Sequence, residues 1–139
     1  MKRWRLPILV FVVIGVLGYA VHRRYARLEE QRREIAYQQT LRSCSKALKP
    51  GTTREKVEEY LRSRRLNFRQ SCCLQSATGV NDILVKIGEE SPPWYCGELN
   101  VYIGFKFTPH AKHDIAFPES DPQDMLNTVD TYYLTEICL

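Results

Sequence analysis

The chain has 139 residues and a formal net charge of +4, a length that allows one modest domain besides a membrane segment and excludes a second. Basic residues dominate residues 1–70 and acidic residues dominate 71–139. The basic residues are not interleaved with aromatic residues in a nucleic-acid-binding motif. The sequence therefore argues against nucleic-acid binding and favours contact with anionic lipid headgroups.

The first predicted element is an apolar helix over residues 6–21, which contain no charged residue. At the α-helical rise this stretch covers ~24 Å of a hydrocarbon layer of ~30 Å. Trp4 and Tyr25 would lie at the two interfaces, with Arg5 extending toward the headgroups. We expect a membrane anchor over residues 1–24 that spans the lipid bilayer with residues 6–21.

A cleaved signal peptide is the alternative to an anchor. Lys2 to Arg5 form a basic leader, and Gly18 and Ala20 are the small residues that a signal peptidase selects. The dense positive charge of residues 22–24 directly behind that position favours retention as an anchor.

Three features favour an orientation with the N-terminus inside and the soluble domain in the periplasm. The N-terminal tail is minimal, the anchor is the first element made, and the chain has five cysteines. We therefore expect a single-pass protein of the inner (cytoplasmic) membrane.

Residues 25–48 contain no Gly or Pro and are rich in helix formers, which predicts one continuous helix. It would begin as a solvated stalk and end as the first helix of the domain. A parallel coiled-coil dimer is an alternative, although the heptad pattern fails after two repeats. A sparse apolar stripe would run along it, made of Leu28, Ile35, Leu41, Cys44, Ala47 and Leu48.

A second helix is predicted after the break at Pro50 and Gly51. Thr52 and Glu55 have the spacing of a capping box, and the helix would continue to about Arg64. Its apolar face is formed by Val57, Tyr60 and Leu61, and its charged face by Arg54, Lys56, Glu58, Glu59 and Arg62.

Alternating apolar and polar residues predict strands over residues 66–69, 82–87, 99–107 and 128–137. Residues 108–127 are predicted to be a loop, with a short turn of helix over residues 122–126. The connections are too short for parallel crossovers, so the sheet should be antiparallel. The predicted fold class is α+β: after the transmembrane helix and stalk, two helices pack on a three- to four-stranded antiparallel sheet, with residues 49–139 as the small α+β domain.

Residues 48–61, with the run Gly51-Thr52-Thr53 followed by Val57 and Leu61, resemble the opening of the SmpA/OmlA (BamE-like) envelope domain. The resemblance implies a fold of two helices on a three-stranded antiparallel sheet. It also implies an accessory subunit that binds another envelope protein and has no active site.

The five cysteines are disulfide candidates. Cys72 or Cys73 is within reach of Cys96 if their strands are neighbours, and Cys44 would then pair with Cys138. A second hypothesis keeps all five reduced and buried as small hydrophobic residues. A disulfide between the adjacent Cys72 and Cys73 would be strained.

An enzyme is the runner-up interpretation. His110 and His113 have the His-x-x-His spacing, and with Cys72, Cys73 and Cys96 they would serve a small membrane-bound thiol or metal-dependent enzyme. The loop composition around Pro109 argues against a helix that would direct both histidines at one ion. We therefore predict no catalytic residue, no metal and no cofactor.

Trp94 and Tyr95 follow two prolines in a loop before the strongest strand. If they are exposed they form a candidate contact with a partner protein, because large aromatic side chains lose little entropy on docking. If they are buried they cap the open end of the core. The sequence as a whole predicts a non-enzymatic interaction or scaffold module of the bacterial cell envelope, without a small-molecule substrate.

Overall fold

The computed structural model describes residues 5–72, 80–111 and 120–138, with side chains from Val10 onward. Its elements follow the order helix, helix and four strands, which is the predicted order. The elements are α1 (Arg5–Ala47), α2 (Arg54–Ser63), β1 (Phe68–Cys72), β2 (Asn81–Glu90), β3 (Cys96–Thr108) and β4 (Met125–Cys138).

The four strands form one antiparallel sheet in the order β1-β2-β3-β4. Each strand pairs with its neighbour in sequence, as expected for connections too short to cross the sheet. The predicted fold class is confirmed at this level: two helices pack on a four-stranded antiparallel sheet, and the first helix is long.

The chain divides into two compact units, one ending at Gln38 and one beginning at Gln39. The first unit consists of the N-terminal part of α1, whose continuous helix agrees with the helix predicted over residues 25–48 from the absence of Gly and Pro. The second unit contains the last turns of α1, α2 and the sheet.

From Val10 onward, where side chains are described, no helical segment is long and apolar enough to cross a membrane. The predicted span starts at Leu6, so the side chains of residues 6–9 lie outside the described part. The large apolar side chains of α1 from Val10 to Val21 are exposed on the helix surface.

The core of the second unit lies between the helices and one face of the sheet. Most of its residues come from alternating strand positions and from the apolar face of α2, and Cys44 and Leu48 come from the end of α1 and the residue that follows it. The buried cluster comprises Cys44, Leu48, Val57, Leu61, Val80, Ile83, Val85, Ile103, Phe105, Phe107 and Leu126. Tyr60 packs against it and is partly buried.

The start of α2 differs from the predicted capping box. Its N-cap is Thr53, which makes no side-chain capping bond, and the Thr52 hydroxyl donates to the carbonyl of Lys49 at 2.6 Å. The first amide groups of α2 instead donate to backbone carbonyls: Arg54 N–H to Asp124 at 2.8 Å and Glu55 N–H to Pro122 at 3.1 Å. A backbone segment distant in sequence therefore satisfies the helix start.

The helical turn predicted over residues 122–126 is also wrong, because this segment is bonded to the start of α2. Asp124 N–H bonds the Asp121 carbonyl at 3.0 Å in a tight turn, and β4 begins at Met125. Leu126 exchanges backbone bonds with Gly51 and Thr52, each 2.8 Å long. These bonds require an extended backbone at this position.

Candidate functional site

Arg54 is buried, whereas the sequence placed it on the solvent-facing side of α2. The side chain is 2% exposed, and its Nε donates to Asp124 Oδ2 at 3.2 Å. Its guanidinium lies 4.0 Å from the ring centroid of Phe107 and also donates to the carbonyl of Asn81. The prediction failed because Arg54 is the first residue of α2 and faces the turn that covers the helix start.

Asp124 is fully buried and accepts two backbone bonds besides that from Arg54: from Asp121 N–H at 2.9 Å and from His110 N–H at 3.1 Å. Burial lowers the pKa of Arg54, and the charge of Asp124 opposes that shift. A buried ion pair whose partners are held by additional hydrogen bonds fixes local structure. We interpret this pair as the structural joint between α2 and the turn before β4.

The His-x-x-His candidates are placed only in part. The backbone of His110 bonds Asp124, and His113 lies outside the described residues. Among residues 5–72, 80–111 and 120–138, no three His, Cys, Asp or Glu side chains come together as metal ligands.

The cysteines pair differently from the expected pattern. Cys96 is bonded to Cys138, with Cα atoms 4.0 Å apart. The expected bridges from Cys72 or Cys73 to Cys96 and from Cys44 to Cys138 are therefore not formed. The reason is strand register, which sets Cys96 directly opposite Cys138 at the ends of β3 and β4.

The remaining cysteines offer no evident reactive thiol in the described part of the chain. Cys72 is itself disulfide-bonded, and Cys73 lies outside the described residues. Cys44 is free but buried, and burial raises the pKa of its thiol. A buried thiol with a raised pKa is a poor nucleophile at neutral pH.

The loop between β2 and β3 carries the most exposed large hydrophobic side chain among the residues that the structure describes. Trp94 is 93% exposed and Tyr95 is 47% exposed, and their rings meet edge to face with centroids 5.7 Å apart. Cys96 N–H closes a tight turn on the carbonyl of Pro93 at 2.9 Å. Of the two alternatives that the sequence left open, capping of the core does not hold for Trp94, because its side chain is exposed.

The Cys96–Cys138 disulfide holds the base of this aromatic loop. Crosslinking residues 42 apart in sequence reduces the entropy of the unfolded chain, a contribution of about 4 kcal/mol in loop-closure estimates. Two prolines and a tight turn restrict the loop itself. An indole that is both exposed and restrained loses little entropy when it docks.

The face of the sheet opposite α2 carries a cluster that the sequence did not indicate. Arg69 and Tyr102 both donate to Glu136 Oε1, at 3.0 and 3.1 Å, and the Arg69 guanidinium lies 4.8 Å from the Tyr102 ring centroid. The bonds from Arg69, then that from Tyr102, lower the pKa of Glu136. Burial, then the bond to Glu136, raises the pKa of Tyr102.

No protein-family model, curated protein or solved structure matches this chain significantly. The described residues include three separate features: the Trp94 loop, the buried Arg54–Asp124 ion pair and the charged cluster on one sheet face. The aromatic loop has the features of a contact surface, whereas the other two features stabilise the fold.

Proposed function

We propose that this protein is a membrane-anchored, non-enzymatic interaction module of the bacterial cell envelope, whose Trp94 loop docks on another envelope protein. The exposure of Trp94 is the observation that carries the proposal. An isolated surface indole is costly to keep in water, and tryptophan is enriched among the residues that dominate binding energy.

The proposed location is the inner membrane, with the N-terminus inside and the sheet domain in the periplasm. The charge-free residues 6–21 would form the anchor, and Arg23 and Arg24 would contact lipid headgroups. The Cys96–Cys138 disulfide supports an oxidising compartment, because cytosolic thiols are kept reduced. The short sequence pattern of residues 48–61 that resembles the BamE-like envelope domain would be in keeping with the same class of function.

The proposal is tested by placing a photo-activatable amino acid at position 94 in cells and identifying crosslinked proteins by mass spectrometry. Lys56, which is exposed on α2, is the matched control position. We expect one reproducible envelope protein at position 94 and none at position 56. The same protein should be lost from pull-downs of Trp94→Ala, while the thermal midpoint of the domain stays within about 2 °C.

Two outcomes would contradict the proposal. One is the absence of any reproducible crosslink from position 94. The other is a Trp94→Ala variant that unfolds at lower temperature but retains the partner, because that result would give Trp94 a structural role.

A further inference from the structure

The last strand of the sheet, β4, is an open edge. It is the longest strand of the sheet, and on one side it pairs with β3 along nearly its whole length. Within the described residues, the pairing on its other side is confined to its start, where Met125 bridges Thr53 and Leu126 bonds Gly51 and Thr52. An edge strand presents unpaired N–H and C=O groups that accept another strand.

Two irregularities define the regular part of this edge. At the N-terminal end, the register of β3 and β4 shifts between Lys106 and Phe107, which leaves Asn127 as an extra residue in β4. At the C-terminal end, Ile137 has a φ of 55°, so the extended backbone ends at Glu136. The regular open edge is therefore residues 128–136, and Tyr132 lies at its centre.

The composition of this edge lacks the usual protection against pairing. Residues 128–136 contain no proline, no glycine and no lysine or arginine, and their charges are limited to Asp130 and Glu136. They are rich in threonine, tyrosine and valine, which favour strands. Natural edge strands of this length are usually protected by lysine, proline or a central bulge.

We propose that β4 pairs with β4 of a second copy of this chain, antiparallel and centred on Tyr132, so that two four-stranded sheets form one continuous sheet. A two-fold axis through Tyr132 overlays residues 128–136 of both copies completely. Pairing between β4 and the opposite edge, β1, would use a strand of only 5 residues and would generate an open chain of molecules. The symmetric pair closes after two copies.

The charges of β4 are compatible with this register and disfavour a neighbouring one. Centred on Tyr132, Asp130 lies opposite Leu134 and Glu136 lies opposite Thr128, so no two charges oppose each other. Centring the pair on Tyr133 would set Asp130 against Glu136 at both symmetric positions. Like charges directly opposite one another destabilise a strand pair. The pairing centred on Tyr132 therefore combines the longest overlap of residues 128–136 with no opposed charges.

This inference is independent of the proposed partner of the Trp94 loop. The loop lies at the Cys96 end of β3, outside residues 128–136. The docking of the Trp94 loop and the self-pairing of β4 can therefore be tested separately. Loss of the Trp94 crosslink would leave the self-pairing of β4 untouched, and a monomeric protein would leave the Trp94 contact untouched.

The test is the association state of the full chain in detergent micelles, measured by sedimentation and by light scattering. We expect a dimer at protein concentrations of about 10 to 100 µM. Leu134→Glu places a carboxylate opposite Asp130 of the second copy, twice by symmetry, and should weaken the dimer about tenfold or more. Adding Asp130→Lys should restore affinity to within about threefold, because the opposed charges then attract.

Thr128→Lys supplies a third variant, because it faces Glu136 of the second copy and should tighten the dimer. Near-ultraviolet circular dichroism verifies that each variant keeps the native domain. A protein that stays monomeric at about 100 µM would overturn the inference. So would a dimer whose affinity is unchanged in Leu134→Glu, because its contact would then lie elsewhere, for example along α1.

Discussion

The two faces of the sheet are buried by different means. On one face, Phe105 and Ile103 pack against α2 and the last turns of α1 in an apolar core. On the other, Tyr102 and Leu84 are almost as inaccessible, yet their cover includes side chains of the sheet itself, such as Arg69 above the Tyr102 ring. A layer of long charged side chains can thus replace a layer of secondary structure.

The difference predicts that the two faces respond unequally to mutation. The helix-covered face depends on dense apolar packing, where a cavity removes contacts that nothing replaces. The face opposite α2, called the open face below, depends on a few aromatic and charged contacts, and water can partly replace these contacts. Three measurements test whether the two faces differ in this way.

The largest effect is expected from Phe105→Ala, in the fully buried centre of the core. Removing a buried phenyl ring costs about 3 to 5 kcal/mol of unfolding free energy. Denaturant titration followed by circular dichroism measures it, and Phe105→Leu is the matched control with a smaller loss. A loss below about 1 kcal/mol would show that the helices do not pack tightly on this face.

A smaller effect is expected from Gly104→Ala on the open face. The ring of Tyr132 lies across Gly104, and an added Cβ would approach Tyr132 Cδ2 to 2.7 Å. Displacing the ring should cost about 1 to 3 kcal/mol by the same denaturant titration. Combining Gly104→Ala with Tyr132→Ala removes the clash, so the two losses should be less than additive. Strict additivity would contradict the contact.

The smallest effect concerns Glu136, whose pKa is lowered by its bonds from Arg69 and Tyr102. A carboxyl with a lowered folded pKa stabilises the fold above its unfolded pKa and loses that contribution as the pH falls through the folded value. The difference in thermal midpoint between the wild type and Glu136→Gln should therefore be constant near neutral pH and shrink below about pH 4. In an Arg69→Met background this pH dependence should weaken, and an unchanged profile would exclude Arg69 as the main cause.

Much of the fold follows from local patterns in the sequence. The period-two alternation around Val101, Ile103 and Phe105 placed β3 correctly, because one face of a strand must be apolar to be buried. The spacing of Val57 and Leu61 placed α2 and its buried face in the same way. Both features depend only on residues that are close to one another in sequence.

The features that the sequence did not reveal depend on pairs of residues that are far apart in the chain. The burial of Arg54 requires Asp124, 70 residues away, and nothing in the pattern of α2 distinguishes Arg54 from Arg62. The Cys96–Cys138 bond depends on the register of β3 and β4 across a long connection. Trp94 is a partial exception: its loop was identified from the sequence, but the exposure of its side chain was left open.

The Cys96–Cys138 bond also determines how this domain responds to proteolysis. The segment between the two cysteines includes the connection from β3 to β4, and it is closed into a covalent ring. A protease that cuts once inside this ring linearises it without separating any part of the polypeptide. The cleaved protein would migrate as a single full-mass species on a non-reducing gel and divide into two fragments only after a reductant is added.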